Sequence, residues 1–162
     1  MKTVRNYKKS KRCKRCNKLL GTSALYKKTG HCVICYHKID IEKDFREYQI
    51  KFNNLDKTFV AWLTGFYEGE GSLTTVNNRT VHNLRITQKE KKPLTYIIKH
   101  LKCGHLLLEQ RASEYYIYRY NITKIGIISA LLTVILPFMK SDLKIKKAKL
   151  FLKKFYKYYE RS

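Results

Sequence analysis

Two short stretches of this chain hold residues whose types and spacing suit chemistry. The first ends in Glu68, Gly69, Glu70 and Gly71, directly after an apolar run. Gly65 and Gly69 lie four apart in what reads as a helix, where each glycine costs about 1 kcal/mol relative to alanine. Such a cost is tolerated where two backbones must come close. Glu70 falls at the negative end of that helix, an unfavourable place for an acid unless a cation shares it. These residues point to a close helix pair with metal-binding carboxylates at its end. Taken alone they also fit an ordinary helix with a glycine cap and two solvated glutamates.

The second stretch is Cys13-x2-Cys16 and Cys32-x2-Cys35, two pairs with 15 residues between them. Each pair forms a knuckle that aims two thiolates at one point, and four thiolates close a tetrahedral Zn²⁺ site. The segment has few apolar residues (Leu19, Leu20, Leu25, Val33, Ile34) and cannot fold by burial alone. The first 38 residues carry 12 Lys and Arg and no acid, so a zinc-loaded module keeps about +10, a clamp for a polyanion backbone. His31 and His37 flank the second pair and could replace a ligand. Cys103 is left over and reads as a small buried hydrophobe.

The whole chain has 162 residues, 35 Lys plus Arg against 12 Asp plus Glu, and a net charge of +23. Such a chain repels itself, and nucleic acid is the usual polyanion to relieve it, through release of condensed counterions. A basic ribosomal zinc protein or a membrane-surface protein would share the charge. The N-terminal stretch MKTVRNYKKSKR has no apolar segment of a secretory kind. The longest apolar run, Ile125 to Met139, is too short for a bilayer, which needs about 20 residues, and reads as a buried helix. The expectation is a soluble intracellular protein with reduced cysteines and no membrane partner.

The elements that must position these groups follow from patterning. Residues 1–40 form the basic zinc module, 41–53 a linker helix of mixed charge, and 54–162 the larger domain. Within it, Asp56 to Gly69 reads as a helix with Asn54 or Asp56 as N-cap. Ser72 to Val76 and Val81 to Gln88 read as strands joined by a turn over Asn77, Asn78 and Arg79. A helix opens at Pro93 and runs to Leu101, where Gly104 stops it. His105 to Gln110 and Tyr115 to Ile122 form a second strand pair. Helices follow over Lys124 to Ile135 and Leu143 to Tyr159, the last with Ile145, Ala148, Leu152, Phe155 and Tyr159 on one side. The order α-β-β-α-β-β-α-α gives an α+β domain: four antiparallel strands, helices on one face, the other face open to a ligand.

The stretch WLTGFYEGEGS (Trp62 to Ser72) resembles the LAGLIDADG motif of homing endonucleases. Leu63 matches its first position, Gly65 the third, Glu68 the sixth, Gly69 the seventh, Glu70 the eighth and Gly71 the ninth. The second position is Thr64 rather than alanine, and the sixth and eighth are Glu rather than Asp. NLRITQKEKKPL resembles the family's second strand, which carries a glutamine near the active site, matched here by Gln88. ILPFMKSDLKIKKAKL resembles the segment that carries a lysine at the start of a helix, matched by Lys144, with Lys140 as the alternative. The likeness covers residues 54 to 159 and leaves the N-terminal module outside.

The resemblance implies a saddle-shaped sheet, cleavage of double-stranded DNA, and, since one motif copy is present, a homodimer joined at Leu63, Gly65, Phe66 and Gly69. It further implies that Glu70 and the Gly69 carbonyl bind Mg²⁺, that Gln88 positions water, and that Lys144 offsets charge. Two symmetric sites would give a staggered break in a long, roughly palindromic target. The strand alternation sends Thr74, Val76, Asn78 and Arg85 toward the major groove, with Arg79, Arg111 and Arg119 as further contacts. A non-cleaving RNA maturase or DNA-binding regulator of the same fold is the main rival. An intein is not expected, because no splicing sequence flanks the motif.

Overall fold

The computed structural model describes residues 12–18, 29–75, 82–111 and 115–160. The chain divides into two compact units, 1–42 and 43–162. Val76, Asn78 and Arg79, with the turn they were expected to form, lie outside the described residues, as do Leu19, Leu20 and Leu25.

Helix α1 spans Val33–Asn53, so the expected linker helix is the second part of a longer one. The larger unit begins earlier than its hydrophobic patterning suggested, because Phe45, Tyr48 and Phe52 of α1 pack into its core. Their spacing of three and four residues is helical. Helix α2 (Lys57–Glu70) starts where Asp56 Oδ1 accepts the backbone N–H of Phe59 at 2.9 Å. Strands β1 (Gly71–Thr75) and β2 (His82–Gln88) follow it. Helix α3 (Lys91–Leu101) ends at Lys102 in the left-handed region, and Gly104, at φ +76°, turns the chain into β3 (His105–Arg111). Strand β4 (Tyr115–Ile122), helix α4 (Ile125–Ile135), a 3-10 turn (Leu136–Phe138) and helix α5 (Asp142–Glu160) complete the unit. The α+β order read from the sequence is the observed one, with ends displaced by a residue or two.

All strand pairs are antiparallel, in the spatial order β1-β2-β4-β3. Alternation sends Leu84 and Ile86 of β2 and Tyr120 and Ile122 of β4 to one face, where α2, α3 and α4 cover them. Each such buried side chain contributes roughly 1.5–3 kcal/mol. The apolar run expected as a buried helix is α4: Ile128, Ala130 and Leu132 are inaccessible, and α5 packs against it through Ala148, Phe151 and Leu152. Phe155 is also buried, whereas Tyr156 is exposed. Among the described residues no helix is long and apolar enough to cross a membrane.

Candidate active site and metal centre

Helix α2 has two contrasting faces. Phe59, Val60, Leu63, Thr64 and Tyr67 are buried, and Thr64 returns its hydroxyl to the Val60 carbonyl at 2.7 Å. A polar residue is thus tolerated inside the core. The opposite face is Thr58, Ala61, Trp62, Gly65 and Gly69, all exposed. A Cβ added at Gly65 or Gly69 would meet no described atom within 4 Å, so none of the described residues requires either to be glycine. Leu63 was expected at the dimer contact together with these glycines. It lies instead in the subunit's own core, 2% exposed, because it points to the opposite side of the helix. Phe66 is half-buried and stacks on Trp62 at 5.1 Å, beside the bare stripe.

Gly71 is different. A Cβ there would run into the ring of Tyr67 and stand 2.5 Å from the Tyr67 carbonyl oxygen. Tyr67 is itself buried, which pushes its hydroxyl up to about 12. The last motif glycine is therefore demanded from within the chain.

The two motif carboxylates have separate surroundings. Glu68 Oε1 accepts the backbone N–H groups of Lys140 (2.7 Å) and Ser141 (2.5 Å), which stand at the start of α5. An anion there complements the helix dipole. Sequence reading misses this contact, since nothing in the sequence places Glu68 beside a helix start more than 70 residues further along the chain. Hydrogen bonds to a charged group contribute about 1.5–3 kcal/mol. Because the site is partly exposed, Glu68→Ala should cost about 1.5 kcal/mol, read as a lowered urea midpoint with an unchanged slope.

Glu70 is the last residue of α2, exposed, and no described residue hydrogen-bonds its carboxylate. Beside it, the Lys144 ammonium donates to the carbonyls of Tyr67 (2.9 Å) and Gly71 (2.6 Å) and lies 5.2 Å from the Tyr67 ring centre. Partial burial lowers the Lys144 pKa and Lys147 adds to the effect, while Glu68 and Glu70 act against both. Lys140, the alternative lysine, contributes its backbone and not its ammonium. Gln88 is the final residue of β2, two positions past Ile86, which pairs with Gly71.

The sheet face away from the helices carries Thr74, Arg85 and Arg119, three of the residues expected to point to a ligand. Arg111 ends β3 opposite Tyr115. Two cross-strand rows organise this face: Ser72, Arg85, Asn121 and His105 form one, Thr87, Arg119 and Leu107 the other. Asn83 and Asn121 each keep a buried side-chain oxygen, and Arg85 a buried Nε, without a hydrogen-bond partner. Glu109 forms an ion pair with Arg119. Sequence reading singled out the arginines and passed over Asn83, Asn121 and Glu109, whose face depends on register.

In the smaller unit the sulfurs of Cys13, Cys16, Cys32 and Cys35 lie within 4.8 Å of one another. The Lys14 N–H donates to the Gly30 carbonyl at 3.0 Å and ties the two knuckles together. Cys16 and Cys32 stand 3.6 Å apart at sulfur, close to the edge of about 3.8 Å that a tetrahedron of 2.3 Å Zn–S bonds requires. The backbone N–H of Cys16, aided by others, brings Cys13 down to about 5, whereas burial and the neighbouring thiols push Cys35 up to about 12. Four sulfurs this close cannot all lose protons without a cation among them, so the cluster fits a metal ion. Neither His31 nor His37 belongs to it. Cys103 is half-buried, pushed up to about 11 by that burial, and its carbonyl accepts the Tyr120 hydroxyl at 3.0 Å.

No family model and no curated protein matches the sequence. Solved structures do. The homing endonuclease I-CvuI, in complex with the I-CreI target, is 21% identical with a TM-score of 0.45, over 60% of this chain and 65% of that one. What the chain is similar to is the LAGLIDADG homing endonucleases. The archaeal intron-encoded homing endonuclease I-Vdi141I, complexed with DNA, is 22% identical with a TM-score of 0.48, over 59% and 66%. The LAGLIDADG homing endonuclease I-SmaMI, bound to cleaved DNA, is 22% identical with a TM-score of 0.45, over 58% and 34%. The chain thus spans just under two thirds of the first two homing endonucleases and about a third of the last.

Proposed function

We propose that this chain is a site-specific, divalent-metal-dependent DNA endonuclease of the LAGLIDADG homing type that works as a homodimer. The observation that carries this reading is the bare stripe of α2. Among the described residues nothing requires glycine at 65 or 69, yet they lead straight to Glu70, whose carboxylate no described residue hydrogen-bonds. A second copy of the same helix is the simplest partner for such a stripe, and a two-fold axis there brings two Glu70 side chains together. Carboxylates and helix-end carbonyls are hard oxygen donors, which suit Mg²⁺. Glu70 and the Gly69 carbonyl would hold the ion, which when bound would neutralise charge at the scissile phosphate.

The remaining roles belong to the chain itself. Two of the three Lys144 N–H donors are engaged by Tyr67 and Gly71, which fixes the ammonium and leaves one donor for a phosphate oxygen. Gln88 would orient the attacking water from the end of β2. The open sheet face, with Thr74, Arg85 and Arg119, and with Val76, Asn78, Arg79 and Arg111 from the adjoining segments, would enter the major groove. Two sites, one per strand, would leave a staggered break in a long pseudo-palindromic target.

Residues 1–42 would be a Zn²⁺ module that grips the DNA backbone, and 43–162 the endonuclease domain. Its thiolates require a reducing, intracellular setting. Stripping the metal with a strong chelator should release one zinc ion per chain and expose the smaller unit to protease. Binding should then weaken with little movement of the cut site. Retained protease resistance in the metal-free protein would remove zinc from the account.

The direct test is digestion of a plasmid library of randomised sites in Mg²⁺, with sequencing of the ends. The expected result is one family of symmetric sites with a fixed stagger. Tight duplex binding with no cut in any sequence would make the chain a binding protein of this fold, and no binding at all would defeat the reading.

A further inference from the structure

Glu109 is the one carboxylate among the described residues of the open sheet face. A chain of net charge +23 with only 12 acids has placed one of them where phosphates would approach. Stability gives little reason for it, since replacing a largely packed ion pair by apolar residues is often neutral or stabilising. The register shows what Glu109 does. It stands opposite Ile117, while Arg119 stands opposite Leu107, so the ion pair reaches diagonally across β3 and β4. The Arg119 side chain is 14% exposed and that of Glu109 35%, so both reach the surface from a largely packed position.

We propose that Arg119 and Glu109 act together as a reader of one G·C base pair in each half of the DNA target. This rests on the DNA-binding reading given above. A guanidinium has five N–H donors in one plane. The Glu109 carboxylate lies against Nη2 as an ion pair and so holds the plane; Arg119 Nε is buried without a hydrogen-bond partner, so the fork to a base would fall to the Nη groups. In the major groove a guanine offers N7 and O6 as a matched pair of acceptors for such a fork. The cytosine paired with it offers its N4 amino group next to that O6, and a carboxylate accepts from this group. An arginine and a carboxylate held side by side therefore match the two halves of one G·C pair. An A·T pair presents a donor and an acceptor in the reverse sense and would set the adenine amino group against the guanidinium.

The test is selection from a randomised duplex library without Mg²⁺, using the full-length protein, Glu109→Gln and Arg119→Lys. Glutamine keeps the shape of Glu109, and lysine keeps the charge of Arg119. The wild type should fix G·C at one position per half-site. Each variant should lower that preference about tenfold and leave the other positions unchanged. The double variant should be no worse than the poorer single one, as expected for a unit. If both variants keep the wild-type preference at every position, or if the affected position is A·T, the pair is a structural ion pair and the proposal fails. If the wild type enriches no duplex at all, the DNA-binding reading fails first and takes this one with it.

Discussion

Replacing Gly65 with leucine should leave each subunit folded, and slightly more stable, while the proposed dimer falls apart. The two effects have opposite signs because they come from different places. Within the subunit, position 65 is exposed helix with nothing within 4 Å of a new Cβ. There a good helix former gains up to about 1 kcal/mol over glycine. Between subunits, a leucine would enter a backbone contact twice, once from each copy. Overpacking costs about 1–3 kcal/mol per site, so association should lose about 2–6 kcal/mol. Sedimentation of the variant should show monomer at concentrations where the wild type is dimeric, with a thermal midpoint at or above that of wild-type monomer. An unaltered dimer would mean that α2 is not the contact, and would take the shared site with it.

Glu70→Gln should abolish cutting and spare binding. The substitution keeps the side chain's size and removes the charge from the one motif carboxylate that no described residue hydrogen-bonds. Loss of an outer partner of a metal ligand already costs about 10- to 100-fold, so loss of a ligand should exceed a hundredfold. Affinity for duplex should hold or rise slightly, because an acid leaves the neighbourhood of phosphate, and the salt dependence should stay the same. Plasmid nicking and filter binding on the same preparation separate the two. Equal cleavage rates for variant and wild type would show that Glu70 has no part in the reaction. The same preparation of Glu68→Gln offers a contrast, since Glu68 is tied to Lys140 and Ser141 and should affect stability before chemistry.

Much of this was legible in the sequence because the patterns were strong. Period-two alternation in Val81 to Gln88 and Tyr115 to Ile122, and helical spacing in Leu143 to Tyr159, gave the order of elements. The Cys spacing gave the cluster. The resemblance of the motif and of the segment around Leu136 to Leu150 made Glu70 and Lys144 candidates, and the structure brings Lys144 to the end of the motif helix. What escaped depended on which way a side chain turns, and that is set by tertiary contacts. Leu63 and Gly65 are two residues apart, yet one is buried and the other bare. Glu68 and Glu70 are likewise two apart, and they serve a helix start and an open site respectively. The early start of the larger unit was obscured because Phe45, Tyr48 and Phe52 are scattered among charged residues. Glu109 escaped because a single acid in a strand shows its partner only once the neighbouring strand is in register.

The three glycines of the motif answer to different masters. In the proposed dimer positions 65 and 69 would be kept small by a neighbour outside the subunit, whereas 71 is kept small by the ring at Tyr67. A lineage that gave up self-pairing would be free to drift at the first two and still be held at the third. Variation at those sites, followed across descendants, would therefore record when partnership was lost, independently of whether the carboxylate survived.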